Sequence, residues 1–254
     1  MLIHNIDPVL LHLGPFQIRY YGLFFVLGIL IAYFMLNYLA KRKKIGLSKE
    51  DVADFLLYIM AGVILGARVF YVFIYNWTFY SNNLSEIIAI WHGGLSFHGG
   101  LVGAVIAGYY FCRKNKISFY ELADLVVIPL ALGLALGRLG NFTNGELYGR
   151  ITDVPWAMKF SGAEGFRHPS QLYESVKNLI IFSVLWFIKD KKFPQGFMFW
   201  LFVVMYSTLR FFVEFFRQPD EQLGFIIGIL SMGQILSIIF LVVGLFFIRK
   251  VLKK

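Results

Sequence analysis

IRYYGLFFVLGILIAYFMLNYLA, residues 18–40, carries charge only at Arg19, and KRKK at 41–44 follows it directly. A helix needs roughly 20 mostly apolar residues to cross a bilayer. This stretch supplies them and then stops on a basic cluster of the kind found at a membrane surface. Working outward, apolar runs recur at about 53–75, 95–112, 121–140, 172–188, 196–216 and 226–248. The third, fourth and fifth of the seven are short or interrupted by polar residues. Composition agrees, with 58% of residues hydrophobic, 19% aromatic and 15% charged, where a soluble domain carries about a quarter charged. The expected fold is all-α, a polytopic transmembrane bundle of seven spans. Without an internal repeat or a low-complexity linker, residues 1–254 are expected to form one domain.

The loop charges predict an orientation. Lys41, Arg42, Lys43, Lys44 and Lys49 follow the first span, Arg113, Lys114 and Lys116 the third, Lys189, Lys191 and Lys192 the fifth, and Arg249, Lys250, Lys253 and Lys254 the seventh. Fifteen of the 24 basic residues thus fall on one face, and cytoplasmic loops collect Lys and Arg. The N-terminus is then outside, the C-terminus inside, and segments 76–94 and 141–171 outside. The net charge of +9 is better explained by this alternation and by anionic lipid than by nucleic acid. The single cysteine, Cys112, rules out an internal disulfide. No cleaved leader is expected, the first span directing insertion itself. Small residues at Gly62 and Gly66, at Gly99, Gly103 and Ala107, and at Gly133 and Gly137 are spaced for close helix contact in lipid.

Several charges sit where lipid penalises them. Arg68, Arg138 and Arg210 fall inside or at the ends of spans, and an arginine at bilayer depth costs about 2.5–3.5 kcal/mol even on a lenient scale. Such a residue faces a cavity or a partner, unless it snorkels, as Arg138 and Arg217 have room to do. On the sixth span Tyr206, Arg210, Glu214 and Arg217 lie within about 80° of one another around the helix. Glu214 can pair with Arg210 at the i,i+4 spacing. Either the stripe is an internal ion pair, or its surplus of arginine awaits an anion.

The fourth span contains Asp124 and ends in the run Gly137-Arg138-Leu139-Gly140-Asn141-Phe142-Thr143-Asn144-Gly145-Glu146-Leu147-Tyr148-Gly149-Arg150. So many polar groups and glycines are costly in lipid unless they line a wet cavity. Glycine lets backbone approach a ligand, and arginine forks suit phosphate oxygens. His98, in Ser96-Phe97-His98-Gly99-Gly100, is either a base in that cavity or a hydrogen-bonded histidine at a helix start. His92 and His98 lack the further ligands a metal site needs. His168 opens His168-Pro169-Ser170-Gln171-Leu172-Tyr173-Glu174, where Ser170 and Glu174 can serve simply as caps of the fifth span.

These residues resemble the bacterial prolipoprotein diacylglyceryl transferases. The family signature G-R-x-G-N-F-x-N-G-E-x-x-G-R is filled at all ten fixed positions by Gly137 to Arg150. Tyr21-Gly22, the Ser96 to Gly100 block, the His168 to Glu174 block and Glu214-Phe215-Phe216-Arg217-Gln218-Pro219-Asp220 are similar to the family's other blocks, in order. The resemblance covers nearly the whole chain. It implies transfer of the diacylglyceryl group of phosphatidylglycerol to the lipobox cysteine of a lipoprotein precursor, with release of glycerol phosphate. It also implies a seven-span fold in the bacterial inner membrane with the site toward the outer side, and no cofactor or metal.

Carried over position by position, the resemblance makes His98, Arg138, Arg210 and Tyr21 catalytic. It places Asn141, Glu146, Gly149, Tyr206, Glu214, Arg217 and His168 in substrate binding. The segment between Arg150 and His168 is short beside some relatives, so no docking role is carried over for it. A transporter of anions or lipids would also want arginines in its bundle but often shows internal repeats, and a mere scaffold would not need the Gly-Arg-Asn-Glu run.

Overall fold

The computed structural model describes residues 2–219, 225–228 and 230–253. Asp220, Ile229 and Lys254, which figured in the stretches above, lie outside them. Each of the seven apolar stretches contains a helix. They are α1 (Tyr20–Lys43), α2 (Lys49–Phe70), α4 (Phe97–Lys114), α5 (Phe119–Thr143), α6 (Ser170–Ile188), α7 (Phe197–Val213) and α8 (Met232–Leu252), with a short α3 (Trp77–Asn82) after α2. Four of these, α1, α2 with its π-helical continuation to Tyr75, α5 and α8, are long and apolar enough to cross a membrane.

The helices are joined by small strand pairs that the all-α reading omitted. Strand β1 (Leu2–Ile3) runs parallel to β4 (Met158–Lys159), β2 (Val9–Leu13) forms a hairpin with β3 (Phe16–Arg19), and β5 (Phe225–Ile227) pairs with β6 (Leu230–Ser231). Local chemistry moves two boundaries. Helix α2 begins at Lys49, not 53, because Ser48 and Asp51 form a reciprocal capping box, the Asp51 amide donating to Ser48 Oγ at 3.0 Å. Helix α8 begins at Met232, not 226, because Ser231 and Gln234 form the same device.

The chain divides into two compact units. The first to be described, residues 36–122, is organised by α2 against α4. A Cβ added to Gly103 would lie 2.0 Å from the Gly62 carbonyl oxygen, and one added to Gly66 would lie 2.3 Å from that of Gly99. Backbone meets backbone here, as the small-residue spacing predicted. Arg68 is 5% exposed and gives its whole fork to carbonyls of the following loop. It donates to Ile87 at 2.9 Å, Gly94 at 2.9 Å and Ala89 at 3.1 Å, and also to Glu86 and Gly93. Its guanidinium also lies 5.0 Å from the Tyr80 ring centroid. This arginine is a structural clasp that satisfies carbonyls which would otherwise be orphaned.

The other unit comprises residues 1–35 and 123–254. Here α6, α7 and α8 pack side by side, with the Trp200 and Phe247 rings stacked at 4.5 Å between α7 and α8. Ser175 of α6 donates to the Ala135 carbonyl of α5 at 3.1 Å. Asp124, a charge inside α5, caps α7, accepting from the amides of Gly196 at 2.7 Å and Phe199 at 2.8 Å. A carboxylate at a helix N-terminus satisfies orphan donors and meets the positive end of the dipole. On α5 the glycines leave more room: a Cβ at Gly133 or Gly137 would meet nothing within 4 Å among the described residues, while a Cβ added to Gly28 of α1 would lie 3.8 Å from Gly133 Cα, so α1 passes Gly133 at ordinary contact distance.

Candidate active site

The polar run that ends α5 folds back as a tight loop. Its turn places Gly145 at φ +69° and Leu147 at φ +57°, a left-handed region that is costly for leucine. Neighbouring helices hold the loop by its backbone. Gln171 Nε2 of α6 donates to the Glu146 carbonyl at 2.7 Å, and Ser170 Oγ donates to that of Leu147 at 3.0 Å. Ser170 is therefore a tether for the loop. Arg150 fastens the far end to the close of α7, its amide donating to Phe216 O at 2.9 Å and its Nε to Arg217 O at 2.9 Å. Gly149 is buried between them, where a Cβ would lie 2.3 Å from Phe216 O and 2.7 Å from His168 Cβ. Only glycine lets the chain pass this point.

Within this frame the arginines converge. Glu174 of α6, 2% exposed, is the hub. Its Oε1 accepts from Arg210 Nη1, its Oε2 lies 2.7 Å from Lys177 Nζ, and Arg138 Nε approaches Oε2 at 3.8 Å. Arg210 also reaches across its own helix, with Nη2 2.6 Å from Glu214 Oε2, as the i,i+4 spacing predicted. Glu214 Oε1 accepts from Ser231 Oγ at 2.9 Å, and Arg217 Nη1 lies 3.9 Å from Oε2. Sequence offered Ser170 and Glu174 as candidate caps of α6. The structure corrects this, since α6 has no side-chain cap at its start and the carboxylate is committed to three cations.

Arg138 joins the cluster to the loop. Its Nη1 lies 3.4 Å from Asn141 Oδ1, while Asn141 Nδ2 donates to Glu146 Oε1 at 2.9 Å. Tyr21 of α1 packs on the same stretch, its Cδ2 2.8 Å from where a Gly140 Cβ would be. Tyr206 presents its ring to Lys177, whose Nζ lies 3.8 Å from the ring centroid. His168 sits at the edge, its Nδ1 3.1 Å from the Tyr173 hydroxyl and its ring 5.2 Å from that of Phe216. Burial pushes the His168 imidazole below its usual value. Ten of the eleven site residues named from sequence thus lie in one unit.

His98 is the eleventh, and it lies in the other unit. It occupies the first turn of α4, which Ser96 caps by accepting from the Gly99 amide at 3.2 Å. Its ring is exposed and contacts Phe97 at 5.7 Å. The helix start is therefore capped by the serine and leaves the imidazole uncommitted to it.

Sequence reading missed two members, Glu174 and Lys177. A lysine in the middle of an apolar stretch, three residues after a glutamate, was the available signal. Arg138, Lys177 and Arg210 face Glu174, and Arg210 and Arg217 face Glu214. Converging planar forks of this kind, with adjacent glycine backbone, are suited to hold an anion such as a phosphodiester.

Comparison with known proteins gives a consistent answer. The family model described as prolipoprotein diacylglyceryl transferase matches residues 8–249. A relative from Geobacter sulfurreducens, named phosphatidylglycerol–prolipoprotein diacylglyceryl transferase, is 47% identical over 247 residues, covering 96% of this chain and 95% of its own. Proteins of the same name from Vibrio cholerae and Vibrio atlanticus are 45% and 44% identical, covering 95% and 94% of this chain and 90% and 89% of theirs.

Proposed function

Because the chain belongs to the prolipoprotein diacylglyceryl transferase family, we propose that it transfers the diacylglyceryl group of phosphatidylglycerol to the lipobox cysteine of lipoprotein precursors. The observation that carries this reading is the convergence of Arg138 and Arg210 on one buried carboxylate, beside a family motif filled at every fixed position. The whole chain acts as a single transferase domain. It crosses the bacterial inner membrane seven times with its N-terminus outside and its C-terminus inside, an arrangement supported by the basic loops. The site opens toward the outer side, where the 141–171 segment lies.

The chemistry follows from charge. The precursor's thiol attacks the diacylglycerol carbon, the carbon–oxygen bond breaks, and its electron pair goes to the phosphate oxygen. A phosphodiester monoanion becomes glycerol phosphate, a phosphomonoester that gathers more negative charge. Arg138 and Arg210 stabilise that charge as preorganised donors, already oriented by Glu174 and Glu214. A free thiol has a pKa of about 8.5, so little thiolate is present at neutral pH. His98, Tyr21 or a water takes the proton, a contribution of about 10²–10⁴ in rate. Asn141, Glu146, Gly149, Tyr206, Glu214, Arg217 and His168 shape the pocket for the headgroup.

The test is stoichiometric. Protein in vesicles of phosphatidylglycerol is supplied with a lipobox peptide, and glycerol phosphate and peptide thioether are both counted. One glycerol phosphate released per thioether formed is the expected result. Lipid moved between leaflets with no bond broken would replace the transferase with a transporter.

A further inference from the structure

Lys177 belongs to no family motif quoted above. It is the one lysine that is buried among the described residues, at 3% exposure. Its ammonium is shared between Glu174 Oε2 at 2.7 Å and the face of Tyr206 at 3.8 Å. Lysines near span ends usually snorkel to water; this one turns inward. Placing a lysine there is costly unless its charge has a purpose in the cluster.

The purpose is set by what Glu174 would do alone. Its carboxylate faces Arg138, Arg210 and Lys177 from three sides. With Lys177 neutral, the full negative charge would fall on the two guanidinium forks. They would be held by the protein and half-neutralised before an anion arrived. A third cation on the carboxylate takes up part of its charge and leaves the forks more positive toward an incoming anion. We propose that Lys177 is a positioning residue that shares the charge of Glu174, keeping the Arg138 and Arg210 forks from being neutralised by that carboxylate before the phosphodiester of the lipid headgroup arrives. This rests on the transferase reading above, and the lysine touches neither the reacting carbon nor the thiol.

The charge account separates this role from a structural one. Lys177→Met leaves the charge of Glu174 to the two guanidinium groups alone, whereas Lys177→Arg keeps a cation at that position. Steady-state transfer is measured with phosphatidylglycerol varied, and lipid binding to the detergent-solubilised protein is measured in parallel by native mass spectrometry. Lys177→Met is expected to raise KM and weaken binding by about tenfold, with kcat changed by less than about threefold. Lys177→Arg is expected to keep KM and binding within about threefold of wild type. Lys177→Gln, which is neutral but can still hydrogen-bond Glu174, repeats the comparison if the methionine variant does not fold. Unchanged KM and binding in a folded neutral variant would overturn the proposal, as would a folded Lys177→Arg no better than Lys177→Met. Wild-type protein that binds the lipid without turning it over would refute the transferase reading while leaving the charge account to be decided by the binding arm.

Discussion

At the scale of the residue, arginine identity should matter more than arginine charge. Arg210 spans two carboxylates with separate nitrogens of one planar fork, a geometry lysine cannot reproduce. Arg210→Lys should therefore be nearly as damaging as Arg210→Ala, each lowering kcat/KM by about 10²–10³, and near-wild-type kinetics for the lysine variant would contradict this. His168 makes a pH prediction of definite sign. Burial lowers its pKa in the folded protein below the 6.5 of the free group, so the folded state resists a proton that the unfolded state accepts. Its contribution to stability should be constant above pH 6.5 and be lost as pH falls below that value, with an NMR titration midpoint below 6.5 as the direct check. The polar stripe on α7 was legible because helical periodicity alone brings Arg210 and Glu214 together. Glu174 was not, because its partners Arg138 and Arg210 lie on other helices, and sequence spacing says nothing of contacts between helices.

At the scale of the element, the apolar runs located all seven long helices, since a membrane solvent demands length and hydrophobicity that few other segments have. What periodicity could not place were their ends. Those are decided by single side chains, such as the capping pairs at Ser48 and Ser231. Glycine spacing was informative in one place and not in another. It brought α2 tightly against α4, whereas on α5 it admits α1 beside Gly133 only at ordinary contact distance and a Cβ at Gly137 would meet nothing within 4 Å among the described residues, because small residues permit close contact without supplying a partner. Gly103→Val should force α2 and α4 apart and cost about 1–3 kcal/mol, visible as a lowered melting temperature. Arg68 is a different kind of support. Its replacement by methionine leaves several loop carbonyls without a donor, each costing about 1–3 kcal/mol where buried. Proteolysis within 84–94 should accelerate strongly in Arg68→Met, and an unchanged cleavage pattern would show that the clasp is dispensable.

At the scale of the whole molecule, the proposal is a seven-span enzyme whose anion site faces outward and whose basic loops face inward. With Cys112 replaced by serine, single cysteines at Lys44 and Asp153 report the two faces. A membrane-impermeant maleimide added to intact spheroplasts should label position 153 and spare position 44, and the reverse pattern would invert the topology. The most direct test of the central claim joins reaction and site in one measurement. Purified protein, phosphatidylglycerol and a lipobox peptide are incubated, and the peptide mass is read for wild type, His98→Ala and Arg138→Ala. The account predicts a diacylglyceryl adduct on the cysteine with wild type and none with either variant. An adduct that persists in both variants would break the assignment of residues, and folded wild-type protein that yields no adduct would contradict the function itself.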